Sequence, residues 1–260
     1  MVGQPLPADA IPGRHDANKA RRRTAILDGA LSLLRATPIE KVSIEGIAAE
    51  AGVSPATVYN LIGSRDQLLL ACVNRVIDAL IDDLVRLPLN DDPIGAALRI
   101  VEGSCDAFIV DGMAFRQIAG AVNGISCAGR SLAVDPAHLQ VTAMRAAQES
   151  GLIRDDADPV AMGRQVFLSY NGAFFAWAAR QLTDEGFRAA ALHGLWTVLV
   201  ANAATEHLEE IRTHASDATT RMVAAGYGSS ANRSAENQTC TAMREKRAMN
   251  APEKIPTAAR

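Results

Sequence analysis

Aromatic side chains are scarce, 4% of the 260 residues, and no run approaches the ~18 consecutive apolar residues that a bilayer span requires. The four cysteines, Cys72, Cys105, Cys127 and Cys240, lie far apart with no CxxC pair and no histidine cluster beside them. That argues against a zinc site and against a disulfide framework, and fits a reducing compartment. An excess of positive charge is missing as well: 26 Lys+Arg stand against 29 Asp+Glu, a formal net charge of -3. A generally basic nucleic-acid binder is thereby excluded, so any such binding must come from a local patch. The chain also lacks a GxSxG elbow, an HExxH pair, a P-loop and a GxGxxG in a strand–helix setting, and His138, His193, His207 and His214 are scattered. No catalytic residue, metal or cofactor is expected. The opening MVGQPLPADAIPGRHD carries prolines and acids where a signal peptide needs a basic end and an apolar run. The expectation is a soluble, cytoplasmic protein with no membrane partner.

Hydrophobic residues make up 48% of the chain and charged residues 21%, enough to bury a sizeable core. From Lys19 to about Arg212 the apolar spacing is helical nearly throughout, which predicts an all-α fold. Residues 1–18, rich in Pro, Gly and polar groups, read as a flexible arm. Residues 213–260 turn to Ser, Thr, Asn, Arg and Ala and read as a mostly disordered tail, with room for one short helix.

Between them lie two predicted domains, 19–66 and 67–212. In the first, Leu27, Ala30, Leu31 and Leu34 form the stripe of a helix beginning near Ala20 and ended by Pro38. Ser43 stands at an N-cap, and Ile44, Ile47, Ala48 and Ala51 line a short second helix closed by Gly52. Ser54-Pro55 opens a third helix reaching about Ile62, with Gly63 as its breaker. Ser64 and Gln67 then form a capping box for a fourth. Two short helices joined by Gly52-Val53-Ser54 after a longer support have the anatomy of a helix-turn-helix. Val53, Val58 and Ile62 face inward in this reading, leaving Pro55, Ala56, Thr57, Tyr59 and Asn60 outward. The Thr57 and Tyr59 hydroxyls suit phosphate oxygens at a helix N-terminus. Arg65 adds a cation where the dipole alone would prefer an acid, and Lys19, Arg21, Arg22 and Arg23 concentrate positive charge in an otherwise acidic chain.

The segment from Arg21 to Val73, and above all IAAEAGVSPATVYNLIGSRDQLL, resembles the N-terminal domain of TetR-family transcriptional regulators. The resemblance implies a DNA-binding domain followed by a larger helical domain that forms a homodimer and binds a small-molecule effector, which releases double-stranded operator DNA. By motif position it implies that Ser43 is a phosphate-contacting cap and that Pro55, Ala56 and Asn60 face base edges. It further implies phosphate contacts from Thr57 and Tyr59, and a clamp on the backbone from Arg65. Asn60-Leu61-Ile62 departs from the family pattern, which more usually has an aromatic or basic residue, then His or Tyr, then Phe. Base reading therefore leans on Asn60, able to pair bidentately with adenine.

Breaks at Pro88–Pro93, Asp111-Gly112, Cys127–Pro136, Gly151–Pro159 and Leu182–Gly186 divide residues 67–212 into about six helices. The last two, about Val160–Gln181 and Asp184–Arg212, are nearly uncharged through their middles. Ala173, Ala176, Ala190, Ala191, Gly194, Val198 and Ala201 give them a smooth surface suited to a two-fold four-helix interface. Phe108, Phe115, Ile118, Phe174 and Trp177, with the polar Asn123, Tyr170 and Asn171, are the candidates to line an effector pocket. No cationic group falls securely among them, which points to a neutral or weakly polar hydrophobic effector. The competing reading is a helical small-molecule carrier whose N-terminal corner contacts protein rather than DNA; it has no use for the arginine run or for Thr57-x-Tyr59.

Overall fold

A computed structural model describes residues 14–84, 91–127 and 135–226. Among these residues the regular structure is helical: α1 Arg14–Ala36, α2 Ile44–Glu50, α3 Pro55–Leu61, α4 Arg65–Leu84, α5 Pro93–Val110, α6 Gly112–Cys127, α7 Ala137–Glu149, α8 Pro159–Ala178, α9 Asp184–Asn202 and α10 Leu208–Ala224. A single 3-10 turn, Ile39–Lys41, joins α1 to α2. The all-α expectation holds, and the breaks read from the sequence separate α4 to α9 as foreseen.

Two boundaries differ from expectation. α1 begins at Arg14, so residues 14–18 are helical rather than part of the arm. Nothing between Arg14 and Ala36 stops a helix, and Asp16 complements the dipole in the first turn. The long final helix is instead two. α9 ends at Asn202, where Ala203 turns extended (φ -60°, ψ 142°) and pairs with Ile153 in an isolated antiparallel bridge. The Arg154 N–H donates to the Asn202 carbonyl (3.0 Å) and the Ala204 N–H to the Leu152 carbonyl (3.0 Å). These bonds between distant segments replace the helical ones that α9 gives up. α10 then starts within the expected last helix and runs into residues assigned to the tail, where room for one short helix was expected. Its Ile211, Ala215, Ala218 and Met222 recur at helical spacing, with Ile211 and Ala218 buried. The remainder of the expected tail and arm lies outside the described residues.

α1, α2 and α3 pack around Ile26, Leu27, Ala30, Leu31, Leu34, Ile47 and Val58, all buried. α4 leads out of this corner and packs on α5 and α6. The second domain is centred on α5, α7, α8 and α9, with α10 laid along α9. α7 and α8 approach very closely. A Cβ added at Gly163 would stand 2.5 Å from the Val141 nitrogen, so the absent side chain sets the helix spacing. α6 alternates its attention, touching α8 on one side and α1 on the other.

Candidate nucleic-acid interface

Side-chain capping sets the starts of α2, α3 and α4 in the N-terminal corner. Ser43 Oγ accepts from the Gly46 N–H (3.0 Å) at the start of α2, and Ser54 Oγ from the Thr57 N–H (3.2 Å) at the start of α3. Gly52 between them adopts φ +64°, a conformation that costs glycine nothing. Gly63 (φ +107°) ends α3, and Ser64 and Gln67 close the predicted capping box: the Ser64 N–H donates to Gln67 Oε1 (2.8 Å), the Gln67 N–H to Ser64 Oγ (3.3 Å).

Val58 is fully buried and anchors α3, while Val53 and Ile62 are half-buried beside it. The opposite face carries Pro55, Ala56 and Asn60, all exposed, and Tyr59, 54% exposed. An aromatic ring left that open on a helix fixed by its other face is available to a partner. Thr57 is half-buried and shares a hydrogen bond with Ser54 Oγ (2.8 Å), so its hydroxyl is oriented by the cap rather than wholly free.

Lys19, Arg21, Arg22 and Arg23 are exposed, and they lie within α1 rather than ahead of it. Arg23 Nη1 donates to the Leu61 carbonyl (2.8 Å), tying α1 to the end of α3. Arg65 is half-buried, and its guanidinium donates to the Ile39 carbonyl. Both arginines thus brace the corner, a role that the sequence reading did not assign to them. For Arg23 the signal is that α3 has no basic residue in its last turn to cover its carbonyls.

In the second domain the structure gathers most of the proposed pocket residues into one aromatic cluster. Phe108 meets Phe115 edge-on and Phe174 at a tilt, both at 4.9 Å between ring centroids, and Phe174 lies 5.8 Å from Trp177. Phe187, which the sequence reading missed, is fully buried and stacks on Trp177 at 5.3 Å and beside Tyr170 at 5.5 Å. Ile118 is buried in the same core, Asn171 is half-buried, and the Asn123 side chain lies outside the described residues. The Tyr170 hydroxyl is buried and has no hydrogen-bond partner among the described residues. Burial pushes its phenol well above the usual tyrosine range; the neighbouring Cys105 thiol adds to this and the Ser104 hydroxyl opposes it. Contrary to the expectation of no nearby cation, the Arg116 guanidinium sits 4.1 Å over the Trp177 ring. That charge is already engaged, donating to the Trp177 carbonyl and to Asp184 Oδ1 (2.9 Å), which also accepts from Trp177 Nε1 (2.7 Å).

Between α8, α9 and α10 runs an open groove of about 470 Å³. Gly172, Ala173, Ala176, Ala190 and Gly194 form its small-residue floor, with Leu168, His193 and Met222 on its walls. Leu168 is 60% exposed. Among the described residues no helix is long and apolar enough to cross a membrane.

The described residues thus form a capped helix-turn-helix with an exposed third helix, joined to a larger helical domain with an aromatic core. Residues 26–72 match the family model described as bacterial regulatory proteins, tetR family. Over 64 residues, a quarter of this chain, the sequence is 39% identical to the HTH-type transcriptional regulator BetI of Rhizobium meliloti, and spans about a third (32%) of that relative's length. The fold is similar to that of Thermus thermophilus FadR, a TetR-family repressor solved with lauroyl-CoA (TM-score 0.55, 19% identity, 68% of this chain and 93% of that one). It is equally similar to a TetR regulator from Haloarcula marismortui (TM-score 0.55, 17% identity, 71% and 100%). The N-terminal segment, residues 26–72, thus matches the tetR family model, and the fold as a whole is similar to that of TetR-family structures.

Proposed function

We propose that this protein is a sequence-specific DNA-binding transcriptional regulator, a cytoplasmic repressor released from a palindromic operator by a small hydrophobic effector. The observation that carries the reading is the outward face of α3, where Pro55, Ala56, Tyr59 and Asn60 stand exposed on a helix anchored by Val58. Exposed Lys19, Arg21 and Arg22, with Ser43 and the Thr57 and Tyr59 hydroxyls, hold phosphates; Asn60 reads a base edge, and Pro55 or Ala56 meets a thymine methyl. Arg23 and Arg65 keep donors to spare for phosphate while bracing α3. Two copies joined through the small-residue groove of α8 and α9 present two such helices about 34–36 Å apart, one turn of duplex. The effector binds at the aromatic cluster, with the Tyr170 hydroxyl as its polar contact. It acts by binding better to the dimer spacing that does not fit DNA.

The test is fluorescence anisotropy of the full chain with a labelled random-sequence duplex across a salt series. Binding is expected at low salt, weakening steeply as counterions compete, and Tyr59→Phe should weaken it evenly across sequences. Equal affinity for Tyr59→Phe and the parent chain would remove the phosphate contact, and no binding at low salt would remove the reading.

A further inference from the structure

Where α1 meets α6, the side-chain amide of Gln117 reaches the main chain that leaves α1. Pro38 has no N–H to give to the Leu34 carbonyl, four residues earlier in the last turn of α1, so that carbonyl is orphaned. The Ile39 N–H, first in the 3-10 turn, has no side-chain cap from Pro38 either. Gln117, half-buried on α6, satisfies both. Its Nε2 donates to the Leu34 carbonyl (2.6 Å) and, at longer range, to that of Thr37 (3.3 Å), while its Oε1 accepts from the Ile39 N–H (2.7 Å). Arg35 Nε on α1 adds a bond to Asp111 Oδ1 (2.7 Å) at the α5–α6 corner. From the other side Arg65, the first residue of α4, donates to the Ile39 carbonyl. The Ile39 main chain is therefore gripped by the second domain at its nitrogen and by the exit of the helix-turn-helix at its oxygen.

The geometry points to Gln117 as a positioning residue for α3, acting through Ile39 and Arg65. A displacement of α6 reaches the Ile39 main chain first, then Arg65, four residues beyond the end of α3. Arg23 holds that end against α1, so α3 cannot follow α4 without breaking its bond at Leu61. The consequence for DNA rests on the function proposed above; the mechanical tie does not.

The experiment is amide hydrogen exchange on the full chain, comparing the parent with Gln117→Met, Arg65→Met and the double variant. Methionine keeps the length of Gln117 without its hydrogen bonds. Exchange in Gln117→Met should rise about fivefold, the factor carried by one net hydrogen bond, at residues 39–42 and also at residues 61–68. Arg65→Met should raise exchange at 61–68 to the same degree, and the double variant no further, because both cut one path. A rise confined to 34–42, or additive rises at 61–68, overturns the proposal and leaves Gln117 as a local cap. Should Gln117→Met not fold, Gln117→Glu replaces it: this keeps the acceptor for Ile39 but withdraws the donor from Leu34. It should protect 39–42 and 61–68 together or lose both together; a split between them overturns the tie. Anisotropy with random-sequence duplex separates the two claims. Coupled exchange without DNA binding retires the regulator reading alone, whereas DNA binding with no response at 61–68 retires the tie alone.

Discussion

Two glycines, Gly163 in α8 and Gly120 in α6, make opposite predictions for the same substitution. At Gly163 an added methyl meets main chain first, Val141 N at 2.5 Å and Val141 Cα at 2.6 Å, with the Val141 Cγ2 methyl at 2.7 Å. Relief requires α7 and α8 to separate, and overpacking of this kind costs up to about 3 kcal/mol. Alanine's better helix propensity returns about 1 kcal/mol, so Gly163→Ala should destabilise by about 2 kcal/mol. At Gly120, exposed on its helix, an added Cβ meets nothing within 4 Å. There the propensity acts alone, and Gly120→Ala should stabilise by up to about 1 kcal/mol. Urea unfolding followed by far-UV circular dichroism gives both values, with slopes expected to be unchanged. In thermal melts Gly163→Ala should fall by about 4–8 °C, at roughly 2–4 °C per kcal/mol for a domain of this size. A Gly163→Ala protein as stable as its parent would refute the close approach of α7 and α8.

Asp184 should matter more than an exposed ion pair. It accepts from Trp177 Nε1 and from Arg116, whose side chain is only 15% exposed, so Asp184→Ala should cost about 1–2 kcal/mol in chemical unfolding. Arg164→Ala, which breaks a pair with Asp135 exposed on both sides, should stay within about 0.5 kcal/mol, and equal costs would contradict the network. The thiols of Cys72 and Cys105 are buried, which raises each to about 12 from 9.0. Peptide mapping after iodoacetamide treatment at pH 8 should find both unlabelled in the native chain and labelled in urea; native labelling would contradict their burial. Because native thiols hold protons that unfolded ones release, stability is full below pH 9 and falls as pH rises toward 12. The slope is about 1.4 kcal/mol per unit for each thiol.

Local chemistry was the legible part of the sequence. Ser43, Gly52, Ser54-Pro55, Gly63 and the Ser64–Gln67 box act through neighbours within four residues, and each sits in the structure as its residue type dictates. What escaped depends on partners far along the chain. Helix periodicity carried the expected last helix through Asn202, because the extended turn at Ala203 is stabilised by Leu152 and Arg154, some fifty residues earlier. Polar composition left room for only one short helix in the tail, whereas Ile211, Ala215, Ala218 and Met222 mark the apolar stripe of the 17-residue α10. Arg23 stands in a basic run and Arg65 at the motif position of a backbone clamp, yet their first partners are carbonyls of Leu61 and Ile39. Arg116 was passed over because only the fold brings it onto Trp177 and Asp184. Phe187 likewise joins the aromatic cluster through tertiary packing that periodicity does not display.

The central claim is that α3 reads duplex DNA as one half of a pair. Selection of bound fragments from a random duplex library, with the parent chain and with Asn60→Ala, tests it most directly. The account predicts an inverted repeat with half-sites about one helical turn apart, and for Asn60→Ala the loss of preference at a single base pair in each half, at a cost of ~1–3 kcal/mol. Enrichment of no sequence, or an unchanged motif without Asn60, would contradict it.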